Sequence, residues 1–146
     1  VDKDKATLNY AESRLKRLKS SVTFKFYQSD VLSYMLNFHR KDNKYQKYDL
    51  IYSIGLADYL PDSYLGYLIK NSCLSLKRGG QLIIAHKNIC VVSAPAPDWM
   101  CDWKFIPRGI FEVKNLIKRN LSKSKFGIKH FYAKEKTIAY FVITKY

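Results

Sequence analysis

A chain of 146 residues is the length of one domain and can bury a core without disulfide or metal staples. With 47% hydrophobic and 15% aromatic residues the composition is globular, and the longest apolar runs, 81–85 and 139–144, are far shorter than the ~20 residues of a membrane helix. The net charge of +14 sits in the flanks: residues 1–48 carry 11 Lys/Arg against 5 Asp/Glu, 104–146 carry 11 against 2, and 49–103 carry 4 against 5.

Taken in chain order, residues 6–19 have helical spacing, with Leu8, Ala11, Leu15 and Leu18 on one face and Asp4 placed to cap the start. Residues 22–27 alternate Val, Phe and Phe with Thr and Lys, which predicts a strand with one buried face. A short helix follows over 31–39, then a polar loop over 40–47. Residues 48–55 form a nearly unbroken apolar run ending in Gly55, as suits a strand covered on both faces. After Pro61, Asp62 or Ser63 can cap a helix over 64–76, and Gly79-Gly80 leads into an apolar strand at 81–85. Residues 94–97, Ala-Pro-Ala-Pro, read as a rigid loop, and 108–119 return to helical spacing through Ile110, Val113, Leu116 and Ile117. The chain closes on two strands, 127–133 and 137–145, joined by a Lys-Glu-Lys turn into a hairpin.

Alternating helices and strands predict a single α/β domain over 1–146, a mostly parallel sheet with helices on both faces and an antiparallel end. Cys73, Cys90 and Cys101 are odd in number and, with His39, His86 and His130 scattered, draw no metal site; they read as buried reduced thiols. The N-terminus lacks the charged-then-apolar pattern of an export signal, so the expectation is a soluble cytoplasmic protein. Lysines alternate with apolar residues along both flanks, as on a solvated face; an RNA or anionic lipid partner is the other reading of the charge.

Four strings, in order, resemble those of class I S-adenosylmethionine-dependent methyltransferases. Val1-Asp2-Lys3-Asp4 precedes a helix; Gln28-Ser29-Asp30-Val31-Leu32 follows the predicted strand; residues 48–56 end in Ser53-Ile54-Gly55-Leu56; and Leu76-Lys77-Arg78-Gly79-Gly80 resembles the family's Leu-Lys-Pro-Gly-Gly turn, with Arg78 in place of proline. The resemblance spans essentially the whole chain. It implies a Rossmann-like methyltransferase sheet with a C-terminal antiparallel hairpin, binding S-adenosyl-L-methionine. By the same resemblance Asp2 would accept from the ribose hydroxyls, with Asp4 as its alternate, and Asp30 beside Val31 would meet the adenine. Either aspartate can equally be a helix cap. Ser53, Ile54 and Gly55 would lie against the methionine part of the cofactor, at the carboxyl end of a strand where such sheets bind ligands.

Two further strings, Gly55-Leu56-Ala57-Asp58-Tyr59-Leu60 and Asp98-Trp99-Met100-Cys101-Asp102-Trp103 with Pro107-Arg108, resemble a bacterial subgroup that makes hydroxy-fatty-acid methyl esters, akin to cyclopropane-fatty-acid synthases. They suggest a small-molecule or lipid-acid acceptor, with Asp58, Tyr59 and His86 in contact with it. Trp99 and Trp103, with Phe105 and Phe111, either line an apolar acceptor site or fill core. A carboxylate acceptor needs no general base, and no catalytic residue is assigned.

The sequence departs from the family in two places. His86 stands where the subgroup often has glycine. The first strand and its Gly-x-Gly-x-Gly loop are absent, since glycines 55, 66, 79, 80, 109 and 127 form no such pattern. This reads as the later portion of a longer catalytic domain, or else a degenerate, non-catalytic module. An RNA methyltransferase would account for the charge, but the Asn/Asp-Pro-Pro-aromatic string common in base-methylating enzymes is missing.

Overall fold

A computed structural model of the chain describes residues 1–18, 21–38, 47–88, 105–122 and 125–146. It divides into two compact units, Val1–Tyr45 and Gln46–Tyr146.

The first unit holds helices α1 (Lys5–Leu15) and α2 (Val31–Phe38). Asp4 caps α1 as the sequence predicts: its carboxylate accepts from the Ala6 amide at 2.9 Å and the Thr7 hydroxyl at 2.7 Å. These bonds, Thr7 first, hold the carboxyl below its ordinary value. Asp30 caps α2 in the same manner, its Oδ1 accepting from the Leu32 and Ser33 amides at 3.0 Å. The expected strand at 22–27 does not form. A strand exists by its ladder, and here the partner is one residue long: a single parallel bridge, Asp2 to Gln28, closed by Asp2 N–H to Tyr27 O and Ser29 N–H to Asp2 O. Val22, at 60% exposure, and Phe24 therefore face solvent, and no residue of α1 is buried.

The second unit is a four-stranded sheet with two helices: β1 (Tyr48–Ser53), α3 (Asp62–Leu74), β2 (Leu76–Lys87), α4 (Ile110–Asn120), β3 (Phe126–Tyr132) and β4 (Ile138–Lys145). The strand order is β1-β2-β4-β3; β1 and β2 are parallel, while β4 runs antiparallel to both β2 and β3. The predicted hairpin is thus present, and its later strand inserts into the sheet. Leu82 and Ile84 of β2 share a buried face with Ala139, Phe141 and Ile143 of β4. Against this core α3 brings Leu65, Leu68, Ile69 and Cys73, and α4, which packs on α3, brings Val113, Leu116 and Ile117. Burial pushes the Cys73 thiol up to about 12. Cys90 and Cys101 lie outside the described residues, as do the predicted loop at 94–97 and nearly all of the one at 40–47.

Two local features differ from expectation. Pro61, not Asp62 or Ser63, is the N-cap of α3, because the helix begins at Asp62, two residues before the predicted 64; Asp62 instead enters an ion pair described below. The second strand also starts five residues before the predicted 81, at Leu76, with a bulge: Tyr48 pairs with Leu76, but Leu50 pairs with Gln81. Gly80 makes the bulge possible, since a Cβ there would lie 2.8 Å from Tyr48 O and 3.0 Å from Lys77 O. The lysines at this end of the sheet satisfy helix-terminal carbonyls: Lys47 and Lys145 both donate to Leu74 O, at 2.9 and 3.2 Å.

Candidate active site

In a parallel sheet the ligand end is the carboxyl end of the strands. In the second unit, β1 there runs through Ser53 and Ile54 into Gly55, and β2 runs through His86 into Lys87. Gly55 has φ +80, and a Cβ built on it would meet no atom within 4 Å. Its left-handed turn accounts for glycine by conformation, and the space a side chain would fill is open. Ile54 is 63% exposed beside it. This is a place where backbone can approach a bound group closely.

The turn that follows, 56–61, is held by a buried polar cluster. Asp58 and His86 are 6% and 2% exposed. The Asp58 Oδ1 accepts from the Lys87 amide at 2.8 Å, and its carbonyl accepts from the Ile106 amide at 2.7 Å. His86 Nδ1 lies 2.7 Å from Lys87 O and 3.3 Å from Asp58 Oδ1, both acceptors, whereas Nε2 faces the donor Nη1 of Arg108 at 3.5 Å. The tautomer consistent with all three contacts carries its proton on Nδ1. Arg108, 4% exposed, donates through Nε to Asp62 Oδ1 at 2.8 Å and through Nη1 to Ala57 O at 3.1 Å. Its Nη2 reaches Leu60 O at 2.5 Å and Asp62 at 2.8 Å. Among the described residues no buried side-chain nitrogen or oxygen lacks a partner. The cluster is closed on itself.

Tyr59 stays partly exposed, with its ring 5.3 Å from that of Phe105, and Lys87 Nζ lies 3.3 Å above Phe105. Phe111, by contrast, is 80% exposed on α4, and Trp99 and Trp103 lie outside the described residues. The structure therefore brings Asp58, His86 and Tyr59 to one end of the sheet, with the first two turned into the interior. Arg108, Lys87 and Asp62 carry that arrangement, and the sequence alone gives none of the three a role in a site. The signal available for Arg108 was its place in the Pro107-Arg108 string; nothing local distinguishes a buried arginine from a surface one.

In the first unit, the parallel bridge sets Asp2 next to the Gln28–Asp30 turn. Asp2 Oδ1 accepts from the Asp4 amide at 2.9 Å. The amides of Ser33 and Leu32 hold the Asp30 carboxyl below its ordinary range, against the opposing effect of burial. Each carboxylate has acceptor capacity beyond these bonds, since two oxygens offer about four lone-pair sites. Val31 begins α2, half-buried.

No protein-family model matches the sequence, and no curated protein sequence matches it. Solved structures do. An S-adenosylmethionine-dependent methyltransferase from Clostridium acetobutylicum ATCC 824 superposes with a TM-score of 0.67 at 11% identity, over 98% of this chain and 72% of that one. Magnesium protoporphyrin IX methyltransferase (ChlM) from Synechocystis PCC 6803, with bound SAM, gives 0.61 at 11% identity over 99% and 57%. The N-methyltransferase NodS from Bradyrhizobium japonicum WM9, in complex with S-adenosyl-l-homocysteine, gives 0.62 at 15% over 99% and 64%.

The chain has the class I methyltransferase fold.

It spans between 51% and 60% of the length of several of the structures it matches. At these identities the likeness is one of fold. In this chain Ser53–Gly55 and the Asp58–His86–Arg108 cluster lie at the carboxyl end of β1 and β2. Among the described residues no helix is long and apolar enough to cross a membrane, and no group of three or more His, Cys, Asp or Glu side chains could hold a metal ion.

Proposed function

We propose that the chain is the later portion of a methyltransferase catalytic domain that uses S-adenosyl-L-methionine to methylate a small-molecule or lipid acid. The observation that carries this reading is Gly55: left-handed, with open space in place of a side chain, at the carboxyl end of a parallel strand in a sheet of this fold. ChlM and NodS, of the same fold, hold SAM and S-adenosylhomocysteine. Ser53, Ile54 and Gly55 are assigned to the methionine part of the cofactor, Asp2 to the ribose hydroxyls, and Asp30 with Val31 to the adenine. The cofactor, when bound, supplies a methyl already activated by positive sulfur.

The chain's own part is alignment and exclusion of water. The backbone at Gly55 allows close approach, Ile54 and Tyr59 offer apolar surface, and the ordered turn 56–61 presents one shape to the acceptor. An acceptor that is already a carboxylate requires no base, and the closed Asp58–His86–Arg108 cluster agrees, since its proton positions serve internal bonds. The two strings that resemble the subgroup, Gly55–Leu60 and the tryptophan-bearing Asp98–Trp103, favour a lipid acid.

Titration calorimetry with S-adenosylhomocysteine tests the cofactor reading, on this chain and on any longer natural chain containing it. Saturable heat with the longer chain supports it. A longer chain that ignores the ligand sinks it.

A further inference from the structure

The strings Gly55–Leu60 and Asp98–Arg108 are far apart in sequence, yet the last residue of the second closes on the first. A buried guanidinium is costly, by several kcal/mol for an unmatched ion, so its partners show what it is matched to. Arg108 reaches the Ala57 carbonyl, the Leu60 carbonyl, the Asp62 carboxylate and His86 Nε2. Three of those four lie within six residues of the turn after β1. From the other side, the same turn is tied by Asp58 to the Lys87 and Ile106 amides.

We propose that Arg108 is a positioning residue: its planar fork fixes turn 56–61, and with it the wall that the methyl acceptor meets next to Gly55. The assignment of that wall to an acceptor rests on the methyltransferase reading above. The two strings that mark the subgroup are then two halves of one device, a turn and the residue that holds it. Lysine cannot replace arginine here. Its ammonium is one compact charge, whereas the fork places separate donors on two carbonyls, a carboxylate and an imidazole at once.

Amide hydrogen exchange on the full 146-residue chain tests this without any cofactor. In Arg108→Lys, the Lys87 and Ile106 amides, which bond to Asp58, should exchange at least about tenfold faster, while Leu82 and Ile84 in the β2–β4 ladder keep their protection. The His86 nitrogen resonances should show the Nδ1–H tautomer in the parent chain and a shift toward mixed tautomers in the variant, where Nε2 loses its donor. Asp62→Asn is the milder companion, because the Asp62 side chain is 71% exposed and its loss leaves the core intact. It should accelerate the same two amides by a smaller factor, and it carries the test if Arg108→Lys does not fold. Unchanged exchange at Lys87 and Ile106 overturns the proposal. So does acceleration spread evenly to Leu82 and Ile84, which would make Arg108 an ordinary part of the core. Failure to bind S-adenosylhomocysteine, by contrast, removes the methyltransferase reading and leaves these exchange results to be judged separately.

Discussion

Among the described residues, the two units of the chain differ in how they dispose of their apolar side chains. Every buried hydrophobic side chain among the described residues lies between Ala57 and Ile143. In the first unit Tyr10, Leu18, Val22, Phe24 and Tyr27 are all exposed, Tyr10 at 66%. The difference lies in pairing. The second unit closes three strand ladders, and helices cover the resulting face, whereas residues 22–27 meet a partner one residue long. Apolar alternation proposes a strand; a neighbouring strand makes one.

The largest break in this contrast should come from Phe141, fully buried at the centre of β4. Phe141→Ala should cost about 3–5 kcal/mol in denaturant unfolding, whereas Phe24→Ala should stay within about 0.5 kcal/mol. Comparable losses at the two sites would mean that the first unit has a core of its own. Next in size is Gly80→Ala, which drives a Cβ into the backbone of β1 and should cost about 1–3 kcal/mol. A thermal melt that does not move would show that the bulge can relax.

A smaller effect concerns chemistry rather than stability. With Cys90 and Cys101 replaced by serine, Cys73 should react with a thiol reagent only as fast as the second unit unfolds, because burial keeps the thiol protonated. Fast labelling of the native chain would contradict the packing of α3. The smallest effect is the cap of α1. The Asp4 carboxyl has its folded value lowered by Thr7 and Ala6, so its support is complete above the ordinary value of 3.8 and is lost as pH falls through the lowered one. Helical signal from α1 should fray in that acid range in the parent chain, and Asp4→Asn should flatten the dependence.

What the sequence made legible follows the range of the forces involved. The apolar run 48–55 is legible as a strand, but not as one covered on both faces: β1 is an edge of the described sheet, with Leu50 51% and Tyr52 68% exposed, and Gly79-Gly80 lie inside β2 rather than before it. Asp4 as a cap and the β3–β4 hairpin are set by neighbours within a few residues and are readable. The strand at 22–27 was not, because its absence depends on a distant partner. Asp62 has the side chain of a cap, but it stands inside the first turn of α3, and its carboxylate pairs with Arg108, 46 residues later. The subgroup strings place His86 and Asp58 against a substrate; their burial depends on where the end of β2 meets the turn after β1. Trp99 and Trp103, in the string that most suggested an acceptor pocket, fall outside the described residues.

The position of β4 also governs how this sheet comes into being. It is the latest of the four strands to leave the ribosome, yet it lies between β2 and β3, and β3 has no other partner in the sheet. Until residues 138–145 emerge, β3 has no partner in the described sheet and one hydrogen-bonding edge of β2 stands unpaired. The second unit therefore cannot complete its fold strand by strand during synthesis. A nascent chain halted before Ile138 should remain a client for chaperones, whereas one extended beyond Lys145 by the length of the exit tunnel should close the sheet in a single step.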